Sequence, residues 1–150
     1  MEVQVMKNII KIIKITEEAI NTPYQIGKND CNIIVLKLLD SVCGTEYQNL
    51  AIDQYTSITA GKKLFKANGF KNLEDIVSRH CVQVDTPIYG DIYIDGLNAS
   101  IFLHGSYIEV DHELHKFKSV QVPAELTGKI YRITNDKEIT TWADQVQQVS

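Results

Sequence analysis

The chain has 150 residues, of which 44% are hydrophobic and 23% are charged, and its net charge is −4. This length and composition are those of one globular domain with a sizeable core, and they argue against extensive disorder. The negative charge argues against a general affinity for nucleic acid. We therefore expect a single soluble domain over residues 1–150 that binds no nucleic acid.

Apolar residues recur at helical spacing in the first segment, residues 1–22, with lysines between them. This pattern predicts an amphipathic helix with one packed face and one solvated face. The apolar positions of the packed face are Met6, Ile9, Ile10, Ile13 and Ile20. Ile12 and Ile15 widen the apolar stripe, which indicates burial on two sides or contact with a partner.

A run that is apolar almost all round follows the polar loop 21–30 and extends from Ile33 to Val42, with Gly44 beyond it. It predicts a central helix packed on several sides, and glycine is a common residue just past a helix end. Two shorter amphipathic helices are predicted at 57–68 and 72–80. The first eighty residues are therefore expected to be mostly helical.

The pattern changes after residue 80 to short segments rich in β-branched and aromatic residues. These segments are CVQVD, GDIYID, ASIFLHGSYIEVD, FKSVQV and GKIYRIT. Their boundaries at Gly, Pro or Asp are typical of meandering antiparallel strands. Helices followed by strands predict an α+β fold, and the C-terminal extension 135–150 is either a short docking helix or a tail.

The cysteines and the known motifs exclude several classes of site. Cys31, Cys43 and Cys81 have no CxxC spacing and no matching pair of histidines, so neither a disulfide framework nor a zinc site is predicted. No Walker-type or Rossmann loop occurs. We expect no metal, no cofactor and a reducing compartment, with synthesis in the cytoplasm. No segment reaches the roughly 20 apolar residues of a membrane span.

Cys31 stands where the polar loop meets the central helix, in the sequence PYQIGKNDC. The free N–H groups and the positive dipole end of a helix that begins there would stabilise its thiolate. That is the environment of an activated nucleophile. The alternative is that Cys31 is a small buried hydrophobe, as free cysteines on apolar helices usually are.

Three segments, PYQIGKNDCNIIVLKLL, YGDIYID and NASIFLHGSYIEVD, together resemble the NlpC-type branch of the papain-like cysteine peptidases and amidases. In that family a Tyr-x-x-Gly loop leads to Asp-Cys at the head of the central helix, Gly-Asp opens a strand, and a histidine-bearing strand follows. The trailing GKIYRI is similar to the last strand of small phage-encoded relatives. The resemblance implies a papain-like fold, with the central helix packed on a C-terminal antiparallel sheet or partial barrel.

By this resemblance Cys31 matches the nucleophile, Asp30 the residue before it, and Tyr24 a tyrosine that borders the active site. Asn98 falls where the family has its base histidine. An amide accepts no proton near pH 7, so this alignment lacks the usual Cys-His dyad.

His112 is the candidate for a replacement base. If a hairpin turn is centred on Gly105, His112 faces Asn98 across the two strands, whereas a turn one residue different brings Asp111 or Glu113 there. The other interpretation is that this segment is a solvated strand end or loop.

Two functions of different class remain open. The first is a catalytically degenerate or weak NlpC-like protein that serves as a structural component, which the resemblance places in a phage tail and hence in the virion, with tail proteins as partners. The second is an active hydrolase of peptidoglycan peptides, in which Cys31 attacks, His112 is the base and Asn98 orients it. Tyr24 and the helix end would then stabilise the oxyanion. A weaker third option is a small intracellular binding protein in which Cys31 belongs to the core. Both leading functions require the sulfur to lie beside the first hairpin of the C-terminal half.

Overall fold

The computed structural model describes residues 2–134, in which helices precede strands as the α+β prediction requires. The predicted extension 135–150 lies outside the described residues. The helices are α1 (Glu2–Ile20), α2 (Cys31–Cys43), α3 (Tyr47–Ala51), α4 (Ile58–Ala67) and α5 (Leu73–Ser78). The strands are β1 (Cys81–Val84), β2 (Ile92–Asp95), β3 (Asn98–Ile101), β4 (Ser106–Asp111), β5 (Lys116–Gln121) and β6 (Lys129–Ile133).

Helix α2 lies at the centre of the core, as its apolar sequence predicts. Its buried side chains are Ile33, Ile34, Val35, Leu36, Leu38, Leu39, Val42 and Cys43. Asp30 caps the N-terminus by accepting a hydrogen bond from the backbone N–H of Ile33. Gly44, with φ of +73°, ends the helix and donates to the carbonyl of Asp40. The predicted helix and its glycine stop are confirmed.

Helix α1 packs through a narrower face than its apolar pattern predicts. Ile12, Thr16 and Ala19 are buried, whereas Ile10 and Ile13 are 45% and 39% exposed. The prediction that these last two residues belong to the packed face is therefore wrong. Isoleucines lie on several sides of this helix, so the sequence alone does not indicate which side packs. The side that packs in the structure carries the buried residues at i, i+4 and i+7.

The strands form a four-stranded antiparallel sheet in the order β1-β6-β2-β3 and a separate two-stranded ribbon, β4-β5. The predicted meander holds for the β2-β3 and β4-β5 hairpins. It is wrong for β1, because the last strand, β6, pairs with β1 on one side and with β2 on the other.

Alternate residues of β2 face opposite sides of the sheet, as the strand geometry requires. Ile92 and Ile94 join the main core around α2, while Tyr93 joins a smaller cluster with Phe102 and Ile130. The sheet therefore holds the central helix on one face and an aromatic cluster on the other.

An ion pair between buried Asp91 and partly exposed Arg132 joins the turn before β2 to strand β6. Asp91 accepts hydrogen bonds from Nε and Nη2 of Arg132 at 3.1 and 2.9 Å, and from the N–H of Ile88 at 2.8 Å. Arg132 also donates to the carbonyl of Thr86 at 3.0 Å. This bidentate contact fixes the turn against strand β6, which lies inside the sheet between β1 and β2.

Candidate functional site

Cys31 is the first residue of α2, and its half-buried side chain lies against the start of β3. The thiol donates to the carbonyl oxygen of Leu97, with 3.8 Å between sulfur and oxygen, and the backbone N–H of Ala99 also interacts with the sulfur. Asn98 lies between these two residues. The sulfur is thus beside the β2-β3 hairpin, which is the juxtaposition that both leading functions require.

Asn98 is the exposed first residue of β3 and pairs in register with Asp95 of β2. Its position in the strand segment that contacts the sulfur is the one that the resemblance assigns to the base. An amide stands there, which neither accepts a proton nor carries a positive charge near pH 7.

Asp30 is buried, and its carboxylate is used to hold the loop before α2. It accepts hydrogen bonds from the N–H of Gly27 at 2.8 Å, from the N–H of Ile33 at 2.9 Å and from the hydroxyl of Tyr55 at 2.6 Å. Gly27 has φ of +87°, and a Cβ there would overlap the carbonyl oxygen of Tyr55. Asp30 therefore acts as a helix cap and a loop clamp.

Tyr55 is not among the residues predicted from the sequence, although its hydroxyl donates the third hydrogen bond to Asp30. The residue lies between α3 and α4 in a stretch with no recognisable motif. Burial and the neighbouring Asp30 carboxylate both raise the pKa of Tyr55, so its hydroxyl stays protonated and remains a donor.

The surroundings of Cys31 favour the thiol over the thiolate. Burial raises the pKa of Cys31 above its ordinary value, and the negative charge of Asp30 adds to the increase. The backbone N–H groups of Ala99, Asn32 and Cys31 itself act in the opposite direction but do not cancel it. The expected stabilisation by the helix end is therefore present and is outweighed by desolvation.

Tyr24 lies near Cys31 and Asp30, at the edge of this site. Its ring lies edge-on to Phe117, with 5.5 Å between centroids, and its N–H donates to the carbonyl of His115 at 2.8 Å. Burial raises the pKa of Tyr24, and the neighbouring Cys31 and Asp30 raise it further. The loop before α2 is thereby attached to the turn between β4 and β5.

His112 is exposed in that turn. Strands β3 and β4 meet at a bridge between Phe102 and Tyr107, and the hydroxyl of Ser100 donates to the carbonyl of Ile108 at 2.6 Å, but no ladder between them continues to Asn98 in the described residues. The bridge is also one residue out of the register that would place His112 opposite Asn98. The predicted alignment of His112 with Asn98 across a continuous hairpin is therefore wrong. The turn still approaches the site from another side, through the carbonyl of His115.

Asp111, an alternative to His112 in the hairpin alignment, closes the β4-β5 turn instead. It accepts hydrogen bonds from the N–H groups of Glu113 and Leu114 at 3.0 and 3.1 Å, and it forms an ion pair with Lys118 at 3.5 Å. Glu113, the other alternative, is exposed within this turn.

Two further histidines have partners away from Cys31. The Nε2 of His80 is 2.6 Å from the hydroxyl of Tyr47, and the ring of His104 lies 5.5 Å from that of Tyr89. Among the side chains that the structure describes, no group of three or more His, Cys, Asp and Glu is arranged to hold a metal ion.

A family model described as "Domain of unknown function (DUF6950)" matches residues 9–125, which is most of the chain. Comparisons with curated proteins and with solved structures gave no match. In the part of the chain that the structure describes, no helix has both the length and the apolarity to cross a membrane. The extent of the family match shows that the chain belongs to the family described as Domain of unknown function (DUF6950).

Proposed function

We propose that the chain is an NlpC-like protein of papain-like type that lacks effective hydrolase chemistry and serves as a structural or assembly component. The observation that carries this proposal is Asn98, which lies in the strand segment against the sulfur of Cys31. An amide cannot act as the general base, and such a base typically contributes about 10²–10⁴ in rate.

The electrostatics of the thiol support the same proposal. A cysteine nucleophile reacts as the thiolate, whereas burial and Asp30 both raise the pKa of Cys31. The Asp30 carboxylate already accepts three hydrogen bonds from the loop, the helix and Tyr55. The site is therefore better explained as a retained scaffold than as a reaction centre.

For the setting we propose a phage tail, with other tail proteins as partners, because the resemblance is to small phage-encoded relatives. Exposed Ile10 and Ile13 on α1 supply apolar surface that a partner would cover. In the genome that encodes the chain, a Cys31→Ala allele should leave particle yield and infectivity unchanged. Intact particles that fail to infect would contradict this proposal.

An active hydrolase of peptidoglycan peptides is the second candidate, and one observation favours it. The hydrogen bond from Tyr24 to the carbonyl of His115 brings the turn that carries His112 against the loop beside Cys31. In this candidate Cys31 attacks the amide carbonyl, His112 takes the proton of the thiol, and Tyr24 with the helix end stabilises the oxyanion.

The pH dependence of thiol alkylation separates the two candidates. With iodoacetamide and site-resolved mass spectrometry, an inert Cys31 should react no faster at pH 7 than free glutathione does. Its rate should still be rising at pH 9, because the pKa of Cys31 is raised. A plateau near neutral pH, with Cys31 far ahead of Cys43 and Cys81, would instead support the hydrolase.

An Asn98→His variant tests the position of the missing base. An imidazolium beside the sulfur stabilises the thiolate, so alkylation of Cys31 at pH 7 should become at least about tenfold faster, which corresponds to one pKa unit. Leu97→His is the matched control, since it adds the same group one residue earlier at an exposed position. Equal rates in both variants would show that residue 98 does not serve the sulfur.

A further inference from the structure

Four lysines form a positively charged surface, here called the lysine face, on a chain whose net charge is negative. It comprises Lys62, Lys63 and Lys66 of α4 and Lys71 in the loop that follows, and all four residues are exposed. Residues 54–73 contain these four lysines and no Asp or Glu. Because the whole chain carries −4 and this segment carries +4, the remaining residues carry −8.

The fold gives the lysine face little neutralising charge, since Asp75 interacts electrostatically with Lys71 but forms no ion pair with it. Lys28, Lys37, Lys118 and Lys129 each lie within 4 Å of a carboxylate, but among the described residues no ion pair includes a member of the lysine face. Like charges four residues apart on a helix weaken it slightly, and an acidic partner would relieve this repulsion.

An apolar side chain lies at the head of the same surface. Ile58 is 54% exposed, and with Lys62 and Lys66 it forms one row along α4 at i, i+4 and i+8. Burial of Phe65 and the Ser57 cap hold the helix in place. An apolar anchor with charges around it is the usual composition of a protein interface, with an apolar centre and a polar rim.

The chain also carries a negatively charged surface depression. An acidic hollow of about 470 Å³ is lined by Asp40, Thr45, Glu46, Gln48, Asn49 and Ile52, which include two carboxylates and no cation. The carboxylate of Asp40 is fixed by the N–H groups of Tyr47 and Gln48 at 2.8 and 2.9 Å. Ile52 supplies apolar lining that Ile58 would contact.

We infer that the lysine face binds the acidic hollow of a second copy of this chain, with Ile58 as the apolar anchor. The two surfaces differ, so each contact pairs unlike patches, and repeated contacts either close into a ring or continue head to tail. This inference deepens the proposed role in assembly, on which it rests. It does not involve Cys31, so its failure and the failure of the proposed inertness are observed in different assays.

Sedimentation of the full chain tests the inference. At 50 mM salt and micromolar concentration we expect a dimer or a larger species that dissociates at 500 mM salt, because exposed charges are then screened. Lys62→Glu/Lys66→Glu should weaken self-association by at least about tenfold. Lys14→Glu/Lys116→Glu, which changes two exposed lysines elsewhere by the same charge, should leave it unchanged.

Complementation identifies the partner surface. Glu46→Lys should also dissociate the assembly, and an equimolar mixture of this variant with Lys62→Glu/Lys66→Glu should form a one-to-one complex. The first variant retains the lysine face and the second retains the acidic hollow. A monomeric wild-type chain at 50 mM salt, or a mixture that stays monomeric, would overturn the inference. Binding of heparin without self-association would assign the lysine face to an anionic polymer instead.

Discussion

Replacement of Asp30 should cost far more stability than the loss of an ordinary helix cap. In Asp30→Ala the N–H of Ile33 loses its cap, which typically costs about 1 kcal/mol. The N–H of Gly27 and the hydroxyl of Tyr55 are also left without an acceptor in a buried place, and each such loss costs about 1–3 kcal/mol. We expect the free energy of unfolding to fall by about 3–7 kcal/mol.

Two milder variants divide this loss into its parts. Asp30→Asn keeps one oxygen for the Ile33 cap, but its NH2 group then faces the N–H of Gly27, which loses its acceptor, so this variant should cost about 1–3 kcal/mol. Tyr55→Phe removes one hydrogen bond to a charged acceptor and should cost about 1.5–3 kcal/mol. Ser57→Ala is the control, because it removes an exposed cap with a single bond to the N–H of Ala60 at 3.1 Å and should cost about 1 kcal/mol or less.

Urea unfolding followed by circular dichroism measures these differences, with an unchanged m-value as the condition for comparing them. An Asp30→Ala protein that is as stable as Ser57→Ala would refute the clamp. Asp30→Asn also provides an electrostatic measurement. Because the Asp30 charge raises the pKa of Cys31, its removal should lower that pKa and speed alkylation at pH 8.

Two further predictions concern the backbone at two glycines and the ion pair of Asp91 and Arg132. Gly27 and Gly69 have nearly the same positive φ, +87° and +88°, but of the two only Gly27 has an atom close enough to meet an added Cβ. Gly69→Ala should therefore lower the free energy of unfolding by about 1–2 kcal/mol, through backbone strain alone. Gly27→Ala should lower it by well above about 3 kcal/mol. Equal losses in thermal unfolding would contradict the close approach to Tyr55. Arg132→Met leaves buried Asp91 without its cation and should cost about 2–4 kcal/mol, somewhat less than for a fully buried pair because Arg132 is 35% exposed. Adding Asp91→Asn should recover part of that loss, and a strictly additive double mutant would show that the two side chains are not coupled.

Local sequence patterns were sufficient for most elements of the fold. The apolar run of α2, with Asp30 before it and Gly44 after it, defines that helix through residue types alone. Helix α3, Tyr47–Ala51, is too short to produce a periodic pattern and was not predicted. The alternation in GKIYRIT predicts a strand, but pairing between distant strands is non-local, so nothing in that segment indicates its position between β1 and β2.

The candidate site was predictable only where it depends on local structure. The head of α2 fixes Cys31, and the β2-β3 hairpin lies beside its sulfur. The alignment of His112 with Asn98 assumed a continuous ladder, whereas in the described part of the chain β3 and β4 meet at the single Phe102–Tyr107 bridge, in a different register. Tyr55 reaches Asp30 from a segment with no motif, so this contact follows from packing and not from sequence.

The position of β6 means that the unit able to fold is longer than the segment by which the family is recognised. The family match ends at residue 125, whereas β6, Lys129–Ile133, is the ladder partner of β1 and a neighbour of β2. A protein cut at residue 125 would leave β1 unpaired and would bury the carboxylate of Asp91 without Arg132. Recombinant versions of this domain should therefore extend at least through Thr134, whose N–H donates to the carbonyl of His80.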